Sequence, residues 1–90
     1  MTVCILTKTE VNDSKGVFDT IVIGVYDSLE KAQEWMNHEI EEAREEFSSV
    51  DFEEYKYEVE NDNCTHWGIW EKGQYMSNHL ELEIHPQKIS

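Results

Sequence analysis

One stretch of this chain leaves little choice of conformation. From Leu29, apolar residues return at Ala32, Met36, Ile40, Ala43 and Phe47, in steps of three and four, while nearly every position between them is polar. That spacing draws one apolar stripe on a 3.6-residue period over about five turns, which a helix can bury and a strand cannot. The pattern Asp27-Ser28-Leu29-Glu30 supplies a start signal: Asp27 can accept from the Glu30 amide while Glu30 reaches back, as in a capping box.

Everything around that helix reads as strand. Residues 2 to 8 hold the apolar run Val3-Cys4-Ile5-Leu6, and residues 18 to 26 are rich in β-branched side chains. The turn-forming cluster Asn12-Asp13-Ser14-Lys15-Gly16 lies between them, so the two pair as a hairpin. After the helix, Tyr55, Tyr57 and Val59 alternate with Lys56, Glu58 and Glu60. Asn61-Asp62-Asn63 is a turn, residues 65 to 71 form the next strand, and Lys72-Gly73-Gln74 a tight turn. A last strand runs from about Tyr75 to His85, with Leu80, Leu82 and Ile84 on one side, and Pro86 ends it. The expected fold is α+β, in the order β-β-α-β-β-β: one domain over residues 1–90, an antiparallel sheet with one long amphipathic helix packed on one face.

Composition narrows the function. Twenty acidic residues against seven basic ones give a net charge of −13, which excludes a direct nucleic-acid binder that relies on neutralising phosphate. It also disfavours anionic membrane surfaces, and no apolar run approaches the ~20 residues of a membrane span. The first residues carry no basic flank or long apolar core of a secretory signal, so a cytoplasmic location is expected. Cys4 and Cys64 fit neither zinc nor redox spacing, and Cys4 reads as a buried thiol. His38 lies on the polar helix side, and His79 and His85 stand roughly 20 Å apart along one strand at ~3.4 Å per residue. Cys64 and His66 alternate onto one side but give only two ligands, so neither a metal nor another cofactor is expected. The four glycines form no phosphate loop or nucleophile elbow, and the reading is binding rather than catalysis.

The acidic residues are unevenly placed. Between Glu39 and Asp62 eleven acids face only Arg44 and Lys56, contributing −9 of the −13. Some occupy the last helical turns, where the macrodipole favours cations, and Glu41/Glu45 and Glu42/Glu46 are like-charged i,i+4 pairs worth a few tenths of a kcal/mol of repulsion each. Negative charge placed against local preference marks a candidate site: Glu41, Glu42, Glu45, Glu46, Asp51, Glu53 and Glu54, with Trp35 and Trp70 as aromatic anchors. A solvated acidic surface would look the same. Trp67 and Trp70 point to opposite sides of one strand, and with Val22, Gly24 and Tyr26 this suggests a partly apolar open sheet face, suited to a partner or to a homodimer.

The first third of the chain, from Val3-Cys4-Ile5-Leu6-Thr7 to Ile23-Gly24-Val25-Tyr26-Asp27-Ser28-Leu29-Glu30-Lys31-Ala32, resembles a family of small α+β proteins of bacteria and their phages whose function is unknown. In these a hairpin leads into a helix through a Ser-x-Glu-x-Ala-like start. The resemblance implies a fold and a phage or mobile-element origin, and carries no catalytic residues. The expectation is therefore an acidic module that binds a basic protein surface, such as that of a nucleic-acid-acting protein, as a DNA mimic or anti-defence inhibitor does. The alternatives are an immunity protein against a basic toxin, and a structural or assembly subunit using the open sheet face.

Overall fold

A computed structural model of the chain describes residues 2–12, 16–60, 63–72 and 78–89. Ser28 is extended (φ −150°, ψ 155°) and its Oγ accepts from the Lys31 amide at 3.2 Å, so the helix begins one residue later than the Asp27 pattern suggests. Asp27 instead pairs with the Lys31 ammonium at 3.1 Å. Helix α1 spans Leu29–Glu46, and Phe47 closes it by donating its amide to the Ala43 carbonyl at 2.9 Å.

Five strands accompany this helix among the described residues: β1 Thr2–Asn12, β2 Val17–Tyr26, β3 Phe52–Glu60, β4 Asn63–Glu71 and β5 Asn78–Lys88. They form one antiparallel sheet in the order β2-β1-β5-β4-β3, and the protein is α+β. The expected order of elements and the β1–β2 hairpin pairing are present. Of the expected turns at 12–16, 61–63 and 72–74, residues 13–15, 61–62 and 73–74 lie outside the described residues, as does the expected strand start at Tyr75. Asn12 belongs to β1 and Asn63 to β4 rather than to turns.

Alternation along the strands builds the core. Cys4 and Leu6 of β1, Trp67 and Ile69 of β4, and Leu80, Leu82 and Ile84 of β5 are buried. They share one hydrophobic cluster with Ala32, Met36, Ile40 and Ala43 of α1 and with Phe47. Three expectations are corrected here. Pro86 does not end β5, which continues to Lys88 with Pro86 opposite Cys4. The described β4–β5 pairing runs only from Trp70↔His79 to His66↔Glu83, so Pro86 lies where one side of β5 has no such partner and a missing N–H is tolerated. In β2, the register slips between Leu6↔Gly24 and Thr7↔Val22, leaving Ile23 as an extra residue. Val22 and Gly24 therefore face opposite sides, and Tyr26 turns toward the core rather than joining an open apolar face. Tyr26 lies back over Gly24, where a Cβ would sit 2.7 Å from the Tyr26 Cζ. Third, Cys64 does not face the same way as His66: it lines a cavity with Trp67 and the helix residues Gln33, Asn37 and Ile40.

Ile69 is wholly buried, whereas Trp35 is 52% exposed. Ile69→Ala is expected to lower stability by about 2–5 kcal/mol through lost burial and a residual cavity. Trp35→Ala should cost far less despite its larger side chain, and urea denaturation of the two variants against wild type checks the ranking.

Candidate functional site

The acidic residues of α1 and β3 are held side by side by one cation. Arg44 reaches Glu41 on its own helix at 2.6 Å and Glu54 on β3 at 2.7 Å. Its guanidinium is held protonated chiefly by the hydrogen bond to Glu54, against a smaller opposing effect of burial. Glu54 thus turns toward the helix. Around this clamp Glu42, Glu45, Glu46, Asp51 and Glu58 are exposed, and Glu42 lies 3.2 Å from His38. Glu39, the half-buried member of the group, has its carboxyl pushed above the ordinary carboxylate range, mainly by burial and less by Glu42, with Lys8 opposing.

The side of the sheet away from the core carries a second constellation. Glu53 lies on it, accepting a hydrogen bond from the Tyr55 hydroxyl and pairing with Lys72 at 3.3 Å. These two contacts, the Tyr55 bond foremost, hold the Glu53 carboxyl below its ordinary range. Trp70 stacks on His79 with ring centroids 3.8 Å apart and planes 9° from parallel. The Trp70 Nε1 donates to the Tyr57 hydroxyl at 2.6 Å, and Tyr57 tilts against His66 with centroids 4.6 Å apart. Glu81 sits between the two histidines, with one oxygen 2.8 Å from the His66 Nε2 and the other 3.1 Å from the His79 Nε2. Gly68 opens the space for this network: a Cβ there would lie 2.8 Å from the Tyr57 Cε2. Thr7 and His85 extend the polar strip, 3.0 Å apart.

The candidate residues therefore divide. Glu41, Glu42, Glu45, Glu46 and Glu54 gather around the C-terminal half of α1. Asp51 leads into β3, where its carbonyl accepts from the Lys72 amide at 2.8 Å. Glu53 and Trp70 belong to the opposite sheet side and are not brought to the helix glutamates. Trp35 stands toward the other end of α1, stacked on Tyr26 with centroids 6.4 Å apart. Sequence reasoning missed Arg44 as a clamp, and it missed the network of Tyr57, His66, His79 and Glu81. Parity along each strand was available to find the latter, but the pairings Gly68↔Glu81 and Trp70↔His79 were not. Among the described residues no three His, Cys, Asp or Glu side chains converge as a metal site.

What this arrangement offers is a group of exposed carboxylates on one flank, two of them held by Arg44, and stacked, hydrogen-bonded rings on another. No helix among the described residues is long and apolar enough to cross a membrane. Comparison with known protein families, with curated proteins and with solved structures returned no match.

Two outcomes are expected. Gly68→Ala should push the Tyr57 ring off β4 and break its bond to Trp70, costing about 1–3 kcal/mol and changing tryptophan emission. In the Tyr57→Ser background the same alanine should cost much less, which a double-mutant cycle measures. The second concerns pH. A carboxyl whose folded pKa is raised stabilises the fold below its unfolded pKa and loses that stabilisation as pH rises through the folded value. Glu39 therefore makes the protein more stable on mild acidification from neutrality, and added salt acts in the same direction by screening carboxylate repulsion. Glu53, shifted the other way, opposes this only at lower pH, below the ordinary carboxylate range. Melting temperature should rise as pH is lowered from neutrality toward the ordinary carboxylate range. Glu39→Gln should raise the neutral-pH value and flatten that rise.

Proposed function

We propose that this chain is an acidic binding module that docks on the basic surface of a nucleic-acid-acting protein and blocks it. A cytoplasmic inhibitor of the kind that phages or mobile elements carry fits this role. The observation that carries the reading is the Arg44 bridge, which ties Glu41 of α1 to Glu54 of β3 and so sets the exposed glutamates of both elements on one flank. Neighbouring carboxylates on a helix lie ~5–6 Å apart, and alternate ones along a strand ~7 Å. A cationic surface shaped to track phosphates meets charge at comparable intervals. Glu41 and Glu54, already held by Arg44, lose less side-chain freedom on binding than unheld glutamates would. The reading takes α1 as one long amphipathic layer over a single sheet face, its apolar stripe inward and its glutamates outward. Steering by a net charge of −13 would quicken association and make it salt-sensitive.

The test is retention of proteins from a bacterial lysate on the immobilised chain, compared with a variant in which Glu41, Glu42, Glu45 and Glu46 are all lysine. Wild type should retain basic, nucleic-acid-binding proteins that added double-stranded DNA displaces and that elute by about 0.5 M salt, as screened contacts do. The variant should lose them. An identical retained set on both, indifferent to DNA, refutes the reading.

A further inference from the structure

The two edges of the sheet are unlike. β3, one edge, carries Glu53, Glu54, Glu58 and Glu60 with Lys56, and its pairing with β4 is irregular on both sides of Glu58. Charge and irregularity are the means by which edge strands avoid pairing with other chains. β2, the other edge, is ten residues long with a single charged side chain, Asp19. Four of its apolar side chains are open to solvent: Phe18 is 76% exposed, Val22 61%, Val25 58% and Ile21 46%, while Ile23 and Tyr26 pack against the core. Its one irregularity is the extra residue at Ile23, which leaves Val17–Val22 in regular register with β1. A long apolar edge of this kind is a template for a further strand.

We infer that β2 is a self-association edge, on which the β2 of a second copy pairs antiparallel over Val17–Val22 and joins two five-stranded sheets into one. Charge selects the second copy as the occupant. A cationic partner finds nothing to bind on a strand with one acid, whereas the strand that suits it is itself apolar and nearly uncharged, as β2 is. A two-fold axis through the edge lets the same segment supply both sides. Self-association of so acidic a chain must also avoid like-charge repulsion. The acids of β3 lie four strands from β2, about 19 Å at ~4.8 Å per strand and beyond the ~8 Å screening length of physiological salt. By contrast, α1 rests on β2 through Trp35 and Tyr26, so the repulsion between copies comes chiefly from the helix glutamates and is what added salt screens. β2 itself adds only Asp19 to that repulsion, and the proposal stands whether or not the acidic flank binds a partner.

The experiment is sedimentation equilibrium of the wild-type chain, with amide hydrogen exchange over the same concentration range. The expected result is a species of twice the 10.6 kDa chain mass, with the dissociation constant at least about tenfold tighter in 0.5 M than in 0.02 M salt. Exchange within residues 17–22 should slow as concentration rises. Phe18→Lys with Val22→Lys changes two exposed side chains and should give a monomer with unchanged far-ultraviolet circular dichroism, while Val59→Thr on the opposite edge should stay dimeric. A wild-type mass of one chain at every salt, a dimer that survives the double lysine variant, or slowed exchange confined to other segments overturns the proposal. If the lysine variant fails to fold, the wild-type mass and exchange data decide alone.

Discussion

The pairing of β1 with β5 is the joint on which the rest of the fold hangs. It brings the first strand against the last over eleven successive residue pairs, from Thr2↔Lys88 to Asn12↔Asn78, with no slip in register. On one side of it lies the β1–β2 hairpin and on the other the β3-β4-β5 meander, and this pairing joins the two into one five-stranded sheet. Once joined, Leu6 stands opposite Ile84, and Cys4, Leu80 and Leu82 complete a continuous apolar strip. The helix follows the hairpin in sequence yet shares its core with β4 and β5, so its burial depends on a contact between residues about eighty positions apart. Closing so long a loop costs entropy before any apolar surface is returned, and folding of such non-local sheets is correspondingly slow.

Period-two alternation then gives the two sides of the sheet different chemistry from the same strands. In β4, Trp67 and Ile69 are buried in the core while His66 and Trp70 join the ring network on the far side. Gly68 falls between the two tryptophans because Tyr57 crosses the strand there and no Cβ fits beneath it. Glu81 is retained on a half-buried surface because each of its oxygens has a histidine nitrogen within hydrogen-bond reach. The acidic flank is organised otherwise. Among the described residues Arg44 bridges its two elements through Glu41 and Glu54, in a chain where bases are outnumbered nearly three to one.

How far the sequence disclosed this depends on whether the determining contact is local. The helix was legible because its stripe is written at every third or fourth position, and Ala32, Met36, Ile40, Ala43 and Phe47 are all buried. The inward run Leu80, Leu82, Ile84 was legible for the same reason. The cap moved by one residue because Asp27 and Ser28 are both competent acceptors and local preference hardly separates them. What could not be read was partnership across the sheet. Pro86 ends a strand by local rules, yet here only one side of β5 needs donors at that point. The extra residue at Ile23 reverses which side Gly24 and Tyr26 face, and nothing in Val22-Ile23-Gly24-Val25 announces it. The candidate residues suffered in proportion: the helix glutamates gather as their spacing requires, whereas Glu53 and Trp70 go elsewhere because strand parity and cross-strand register carry them to the far side.

Charge is partitioned across the sheet, from one edge strand to the other. The hairpin β1–β2 holds two acids on β1 and β2, Glu10 and Asp19, and the base Lys8, which lies 3.5 Å from Glu10. The acids concentrate instead on α1 and on β3 at the opposite edge. Within the sheet this sets the acids of β3 four strands from the exposed apolar residues of β2, while those of α1 lie closer, since Trp35 stacks on Tyr26. A uniformly acidic chain of this size would resist contact everywhere. Segregation leaves one edge whose character is set by burial and hydrogen bonding, and one flank whose character is set by charge, so each can be altered by substitution with little effect on the other.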